Sequence, residues 1–200
     1  VNGDETHVID ITSANTVEDL LNLLNGSTAN VLATINSAGT GIDVRSRLSG
    51  ADFFIGENGG QTATQLGIRS LHTETLLTDL NHGRGVNTTT GTDFTIHRRD
   101  GVDLAIDVSS ATTIQEVLDL INNDANNLNP ATKVTARLAT TGNGIELVDS
   151  NTAGTDTLRV TKAFLSTAAV DLGLIPAGSS TTAGTTAGTD QVLTGSDRTP

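Results

Sequence analysis

Cysteine, methionine, tryptophan and tyrosine are all absent from the 200 residues, and phenylalanine occurs only four times. Without cysteine there is no disulfide framework, no thiolate nucleophile and no sulfur metal site. That absence suits a cytosolic chain and an exported one equally. With so few aromatic rings, which otherwise dominate buried area, any core must be aliphatic. Lysine is nearly missing too: Lys133 and Lys162 are the only two, and the formal net charge is -12. Phosphate backbones are bound by clustered Lys and Arg that release counterions, and anionic membrane surfaces by polybasic segments, so nucleic acid and membrane are both disfavoured as partners. No apolar run nears the roughly 20 residues of a membrane span, and no charged start leads into an apolar segment of the signal-peptide kind. The chain starts at Val1 without a methionine, so it reads as an excised or processed stretch of something longer.

What is present is said twice. "ITSANTVEDLLNLLN" and "VSSATTIQEVLDLIN" stand 97 residues apart, and from Ile9/Ile106 to Asn25/Asn122 they align without a gap. Eight of those 17 positions are identical, and most of the others are conservative, among them Ile11/Val108, Val17/Ile114 and Leu24/Ile121. Two hundred residues suit two domains of about 100 each, and the offset favours that division.

The second copy is the clearer one. In "DFTIHRRDGVDLAIDV" apolar and polar residues alternate on both sides of Asp100-Gly101, the pattern of a β-hairpin with one buried face. "SSATT" follows, with Thr113 and Glu116 at capping-box spacing, and then Ile114, Val117, Leu118 and Ile121 form a single helical stripe of two to three turns. "KVTARLATTGNGIELVDS" reads as a second hairpin around Gly142-Asn143-Gly144, "DTLRVTKA" as a further strand, and "STAAVDLGLI" as a short helical turn that closes the unit. Copy one repeats the order. "VIDI" reads as a strand, Val17, Leu20, Leu21 and Leu24 as the helix stripe, "NVLATINSAGTGIDVRSR" as the hairpin, and "ATQLGI" answers "AVDLGL". Its first strand is lacking, because Val1 to Asp4 fall where the "RRDG" turn falls in copy two. The fold class expected is α+β: two tandem repeats, each a mostly antiparallel sheet with one amphipathic helix packed on one face. The boundaries expected are 1–75 and 93–176 for the two units. A connecting segment spans 76–92, where Leu76, Leu77 and Leu80 hint at a short helix, and 177–200 is a Gly/Ser/Thr linker leading into a further element.

No chemistry emerges from the motifs. "DSNTAGTD" places Asp149, Asn151 and Gly154 at calcium-loop positions one, three and six, but position five is Ala153 and position twelve is Val160, so the bidentate carboxylate is missing. A polar β-turn is the simpler reading. His7, His72, His82 and His97 lack the i, i+4 pairing with a neighbouring Glu that signals zinc, and His7 and His97 fall on the polar faces of their strands as solvated histidines. "NHGRG", Asn81 to Gly85, follows a helical segment and so suits a C-terminal glycine cap better than a phosphate cradle. There is no nucleophile elbow and no Walker loop, and the carboxylate pairs Glu18/Asp19 and Asp103/Asp107 read as solvated surface. No catalytic, cofactor-binding or metal-ligating residue is assigned, and no enzyme activity is expected.

The run of hairpin, "ITSANTVEDLLNLLN" or "VSSATTIQEVLDLIN", strand "VLATIN" or "VTARLA", and hairpin "GTGIDV" or "GNGIELV" resembles the hook-IN motif of bacterial flagellar axial proteins, found in flagellins, hook-associated junction proteins and the filament cap. "LNHGRGV" followed by the "DFTI…RDG" hairpin is similar to the link between successive motifs in the junction proteins. The resemblance covers roughly residues 7–48 and 76–149. It implies a surface-exposed structural domain on an extracellular flagellum, whose partners are other axial subunits held mainly through long terminal heptad helices; this chain has no such helices. A monomeric state of the isolated stretch is compatible with a polymerising parent. The resemblance does not separate junction, cap and filament. A glycan- or surface-binding module, adhesin-like or a cap lobe, is the alternative, with the Thr-rich loops and "NDANNLNP" as its ligand surface or as O-glycosylation sites.

Overall fold

The computed structural model describes residues 1–3, 5–49 and 53–199. Its class is α+β, built from short helices and antiparallel strands, and it divides into two compact units, Val1–Ser70 and Leu71–Pro200.

In the first unit, helix α1 (Val17–Gly26) packs on the hairpin of β1 (Val31–Ile35) and β2 (Ile42–Ser46), and β3 (Glu57–Asn58) and the single turn α2 (Thr62–Gln65) follow. A capping box starts α1. The Thr16 hydroxyl accepts the Asp19 N–H at 3.1 Å, and the Asp19 carboxylate accepts the Thr16 N–H at 3.0 Å. The core is small: Leu20, Leu24 and Ala33 are buried, with Ile9, Ile11, Leu21, Ile42, Val44 and Leu66 packed around them.

Two expectations for this unit are corrected. "VIDI" is not a strand, and Val8 is 69% exposed. Its counterpart in the second unit is held by a neighbouring strand, and among the described residues of the first unit no strand takes that place, so its backbone has no ladder to join. Val17, expected in the buried stripe, is 52% exposed, whereas its counterpart Ile114 is 1% exposed. The cause is a cover that only Ile114 has. The chain at 73–77 runs across its helix start, with Ile114 N–H donating to the Thr75 carbonyl at 3.0 Å and Leu77 N–H to the Thr112 carbonyl at 2.8 Å.

The second unit runs through α3 (Leu80–Gly83), β4 (Phe94–His97), β5 (Asp103–Ile106), α4 (Ile114–Asn122), β6 (Val134–Leu138), β7 (Thr141–Gly142), β8 (Ile145–Asp149), β9 (Arg159–Lys162), α5 (Ala168–Asp171), β10 (Thr181–Ala183), β11 (Thr185–Ala187) and β12 (Asp190–Thr194). It holds two four-stranded antiparallel sheets, ordered β10-β9-β4-β5 and β11-β12-β8-β6, instead of one sheet. Both sheets and α4 share one core, aliphatic but for Phe94, in which Phe94, Ile96, Leu104, Ile121, Val134, Ile145, Leu147, Leu158, Val160 and Ile175 are 0% exposed. The Asp100-Gly101 turn closes the first hairpin, with Gly101 at φ 79° and the Arg98 N–H donating to the Val102 carbonyl at 2.9 Å.

The expected linker is part of this unit. From Thr181 to Thr194 the chain supplies β10, β11 and β12; β12 pairs along β8, and Leu193 is 2% exposed. Thr-Thr-Ala occurs twice there, with a glycine after each, and Thr is a good strand former despite its polarity. Gly184 lets the chain pass from one sheet to the other, because a Cβ on it would lie 3.2 Å from the Val192 carbonyl oxygen. The tail is stitched further by Asn143, which is buried and donates from Nδ2 to the Arg198 carbonyl at 2.8 Å.

The connecting segment belongs to the second unit too. Leu77 and Leu80 are buried in its core, and so is Leu71, which the expected boundary at 75 had placed in the first unit; the expected helix through Leu76 is absent. The one helical turn, α3, has Asn81 at φ 58° and His82 at φ 61°, followed by Gly83 at φ 75°. That is a left-handed turn, which only glycine and, less readily, residues such as Asn adopt at low cost. "NHGRG" is therefore not the glycine cap of a preceding helix. Asn81 fastens it, donating from Nδ2 to the Gly85 and Asp171 carbonyls at 3.0 Å each.

Several local devices recur at corresponding places in the two units. Asp10 accepts the N–H and hydroxyl of Thr12, and Asp107 accepts those of Ser109. At the helix ends, Asn25 and Asn122 each clamp a strand backbone. Asn25 bonds the Ala33 carbonyl and N–H at 2.9 and 2.7 Å, and Asn122 bonds those of Ala136 at 2.8 and 2.9 Å. The short turns α2 and α5 are each followed by a left-handed glycine, Gly67 at φ 67° and Gly173 at φ 83°. The correspondence stops at the sheet β10-β9-β4-β5, which has no counterpart among the described residues of the first unit.

Candidate functional site

The most organised polar constellation lies on the sheet β10-β9-β4-β5. His97 pairs with Asp103 across β4 and β5, and Thr161 and Thr181 pair across β9 and β10. Thr161 opposes Thr95 on β4, two residues from His97, so it lies on the diagonal within reach of the imidazole. His97 Nδ1 is 2.6 Å from Asp103 Oδ1, and His97 Nε2 is 3.2 Å from Thr161 Oγ1. Thr161 Oγ1 is in turn 3.2 Å from Thr181 Oγ1, and the Thr181 hydroxyl donates to the Val160 carbonyl at 2.8 Å. His97 is thus half-buried and bonded at both nitrogens, not merely solvated. With the imidazole protonated, every contact of the chain carries one proton. The sequence places His97 and Asp103 together through the hairpin, but Thr161 and Thr181 come from strands that only the tertiary fold brings alongside.

A carboxylate, an imidazole and a hydroxyl in line are the elements of nucleophile activation. Acyl transfer also needs N–H donors aimed at the developing oxyanion. Thr161 sits in β9, which is flanked by β4 and β10, so the backbone around it is committed to ladders on both sides. The chain of groups works here as a polar stitch across four strands.

The remaining candidates resolve into scaffolding. Both carboxylate oxygens of the buried Asp149 accept backbone N–H groups, from Arg99 and Asn151 at 2.9 Å each, and Asn151 Oδ1 accepts the Ala153 N–H at 3.0 Å. Gly154 packs so closely that a Cβ would lie 2.2 Å from the Arg99 carbonyl oxygen. "DSNTAGTD" thereby docks on the β4–β5 turn. Among the described residues no three His, Cys, Asp or Glu side chains gather in a way that could hold a metal ion. His7 contacts Thr28 and Glu5 at 3.3 and 3.4 Å, while His72 and His82 are exposed.

Of the carboxylates expected to be merely solvated, Asp19 and Asp107 are engaged locally, as Asp103 is with His97. Side-chain and backbone bonds from Thr16, with a backbone bond from Asn15, hold Asp19 below the usual carboxylate range, and the hydroxyl and N–H of Ser109 do the same for Asp107. The N–H and hydroxyl of Thr12 lower Asp10, and those of Thr112 lower Glu116. An open groove of about 490 Å³ runs beside α4, lined by Ser110, Glu116, Asp119, Leu120, Asn123 and Asp124 among others. In "NDANNLNP", Asn127 is buried and ties the loop to Ile121 and Val134. Sequence reasoning missed one surface feature: Phe164 and Leu165, 93% and 78% exposed after β9, whose only signal is an apolar pair in a polar loop.

No protein-family model, no curated protein and no solved structure matches this chain. Among the described residues no helix is long and apolar enough to cross a membrane.

Proposed function

We propose that the chain is a surface-exposed structural part of a bacterial flagellar axial protein, of the hook-associated or filament type, that serves assembly and motility through shape and rigidity and not through catalysis. The observation that carries this reading is the motif itself: a capped amphipathic helix followed by a hairpin, present twice in order and resembling the hook-IN motif. Support comes from its physical construction. In both places the same capping box starts the helix and the same asparagine clamps its end to the strand that follows. The exterior is acidic and rich in threonine, which suits a soluble surface module. Its site of action would be outside the cell, on the flagellum, and its partners other axial subunits, engaged mainly through terminal helices beyond these 200 residues. Nucleic acid and membrane are not partners in this reading. Deleting residues 1–200 in frame from the parent protein tests it: the variant should still enter the axial structure, and complete failure to assemble would contradict the proposal.

A further inference from the structure

Among the described residues the outer edge of β2 is open where its counterpart in the second unit is covered. Two bonds fix the orientation of the β2 backbone: the Asn36 N–H donates to the Gly41 carbonyl, and the Arg47 N–H to the Asn30 carbonyl, at 2.9 and 2.8 Å. Residues 41, 43, 45 and 47 therefore direct their backbone groups toward β1, and Ile42, Val44 and Ser46 direct theirs outward. Among the described residues nothing bonds those outward N–H and C=O groups. In β8 the corresponding residues are Ile145, Leu147 and Asp149. There β12 pairs along that edge, with Leu193 opposite Leu147 and the Gly195 N–H donating to the Ile145 carbonyl at 2.8 Å.

We infer that β2 is a docking edge for a second copy of this chain, pairing antiparallel with the partner's β2 about a two-fold axis through Val44. The strand reads Ile-Asp-Val-Arg-Ser, Ile42 to Ser46, and its charge order selects the occupant. In that register Asp43 faces the partner's Arg45, and Arg45 the partner's Asp43. Both pairs occupy non-hydrogen-bonded positions, where cross-strand side chains approach most closely. Asp43 and Arg45 are exposed and already approach each other at 4.0 Å along the strand, so they share the face on which the two cross pairs form. The same register brings Val44 opposite Val44 and Ile42 opposite Ser46 as hydrogen-bonded pairs, giving about six backbone bonds in all. Other registers lose this match: a two-residue slip sets Asp43 against Asp43 or Arg45 against Arg45. Charged residues ordinarily blunt an exposed edge; in this order they are self-complementary. The product is a four-stranded sheet, β1-β2 continued by the partner's β2-β1, with the α1 helix of each copy on the same face. This lateral contact goes beyond the flagellar reading and stands or falls separately from it.

Sedimentation equilibrium of the full chain tests the contact. A small edge contact binds weakly, so the series runs up to about 1 mM, in about 0.15 M salt to screen the like net charges. The expected result is a rise from the 20.5 kDa chain mass toward twice that value. Asp43→Arg alone and Arg45→Asp alone should each remain monomeric, the double exchange should restore the dimer, and an equimolar mixture of the two single variants should form a heterodimer. Val44→Pro removes an outward N–H and no bond of the β1–β2 ladder, at the cost of some core packing, and should also be monomeric; circular dichroism checks that each variant is folded. A wild-type chain that stays monomeric to the highest concentration overturns the inference. So does a dimer that survives both single charge variants.

Discussion

Replacing Asn122 by alanine removes the clamp between the end of α4 and the middle of β6. Two bonds are lost, at 2.8 and 2.9 Å, and both free a backbone group of Ala136, which is 3% exposed. Leaving a buried donor or acceptor unpaired costs about 1–3 kcal/mol, and alanine returns about 0.5 kcal/mol of helix propensity. Because Asn122 itself is half-buried and water reaches part of the site, the lower half of that range applies, and the net loss expected is about 2–3 kcal/mol. Asn122→Asp should do no better: it keeps an acceptor for the Ala136 N–H but sets an oxygen against the Ala136 carbonyl. The same change at Asn25 frees the backbone of Ala33 and should cost the first unit a similar amount. That is a larger share of its stability, since among the described residues its buried cluster is Leu20, Leu24 and Ala33, with Ala29, Val31 and Ala63 buried besides. Two units need not unfold together, so the assay is amide hydrogen exchange followed residue by residue under native conditions, with urea unfolding beside it. The Ala136 amide should lose protection by about thirtyfold for each 2 kcal/mol. A change below about 0.5 kcal/mol with Ala136 protection intact would refute the reasoning, because it would mean that the clamp contributes nothing beyond what water supplies.

Three further outcomes are expected. Leu193→Ala should destabilise the second unit by about 2–5 kcal/mol in urea unfolding, since it hollows a core that the tail helps to build; a neutral result would return the tail to a linker. Ile114→Asp should be severely destabilising, while Val17→Asp at the corresponding position should stay within about 0.5 kcal/mol, a contrast that thermal unfolding of the two variants reads directly. Acid should loosen the helix starts and Asx turns. The pKa values of Asp10, Asp19, Asp107 and Glu116 are lowered in the folded chain. Their contribution is therefore present above the unfolded values near 4 and is lost as pH falls through the folded ones. A pH titration of helicity that is flat between about pH 5 and 2 would contradict this.

Local signals made much of the fold legible. Thr113 and Glu116 announced the start of α4, the Ile114 to Ile121 stripe its buried face, and Asp100-Gly101 and Gly142-Asn143-Gly144 the two turns. Those features depend on neighbours within a few residues. What escaped depends on partners far along the chain. Val17 and Ile114 are the same kind of residue at the same helix position, and only the segment 73–77 decides that one is buried. The strands β10 to β12 read as a linker because β10 and β11 are both Thr-Thr-Ala, without a large apolar residue, and the anchoring rests mainly on Leu193 of β12 and on backbone bonds to β8 and β9. The His97 chain was half legible, through Asp103, and its Thr161 and Thr181 members were not. The left-handed turn at Asn81 and His82 has no spacing signature of its own, so the helical spacing of Leu76, Leu77 and Leu80 suggested a helix that the backbone does not form.

The role proposed for this chain is architecture on a flagellum. Its most direct test is an antibody raised against the 200-residue chain, applied to intact flagellated cells and read by immunogold electron microscopy. The account predicts gold on the axial structure, at the hook–filament junction, at the tip or along the filament; gold on the cell surface with none on the flagella would contradict it.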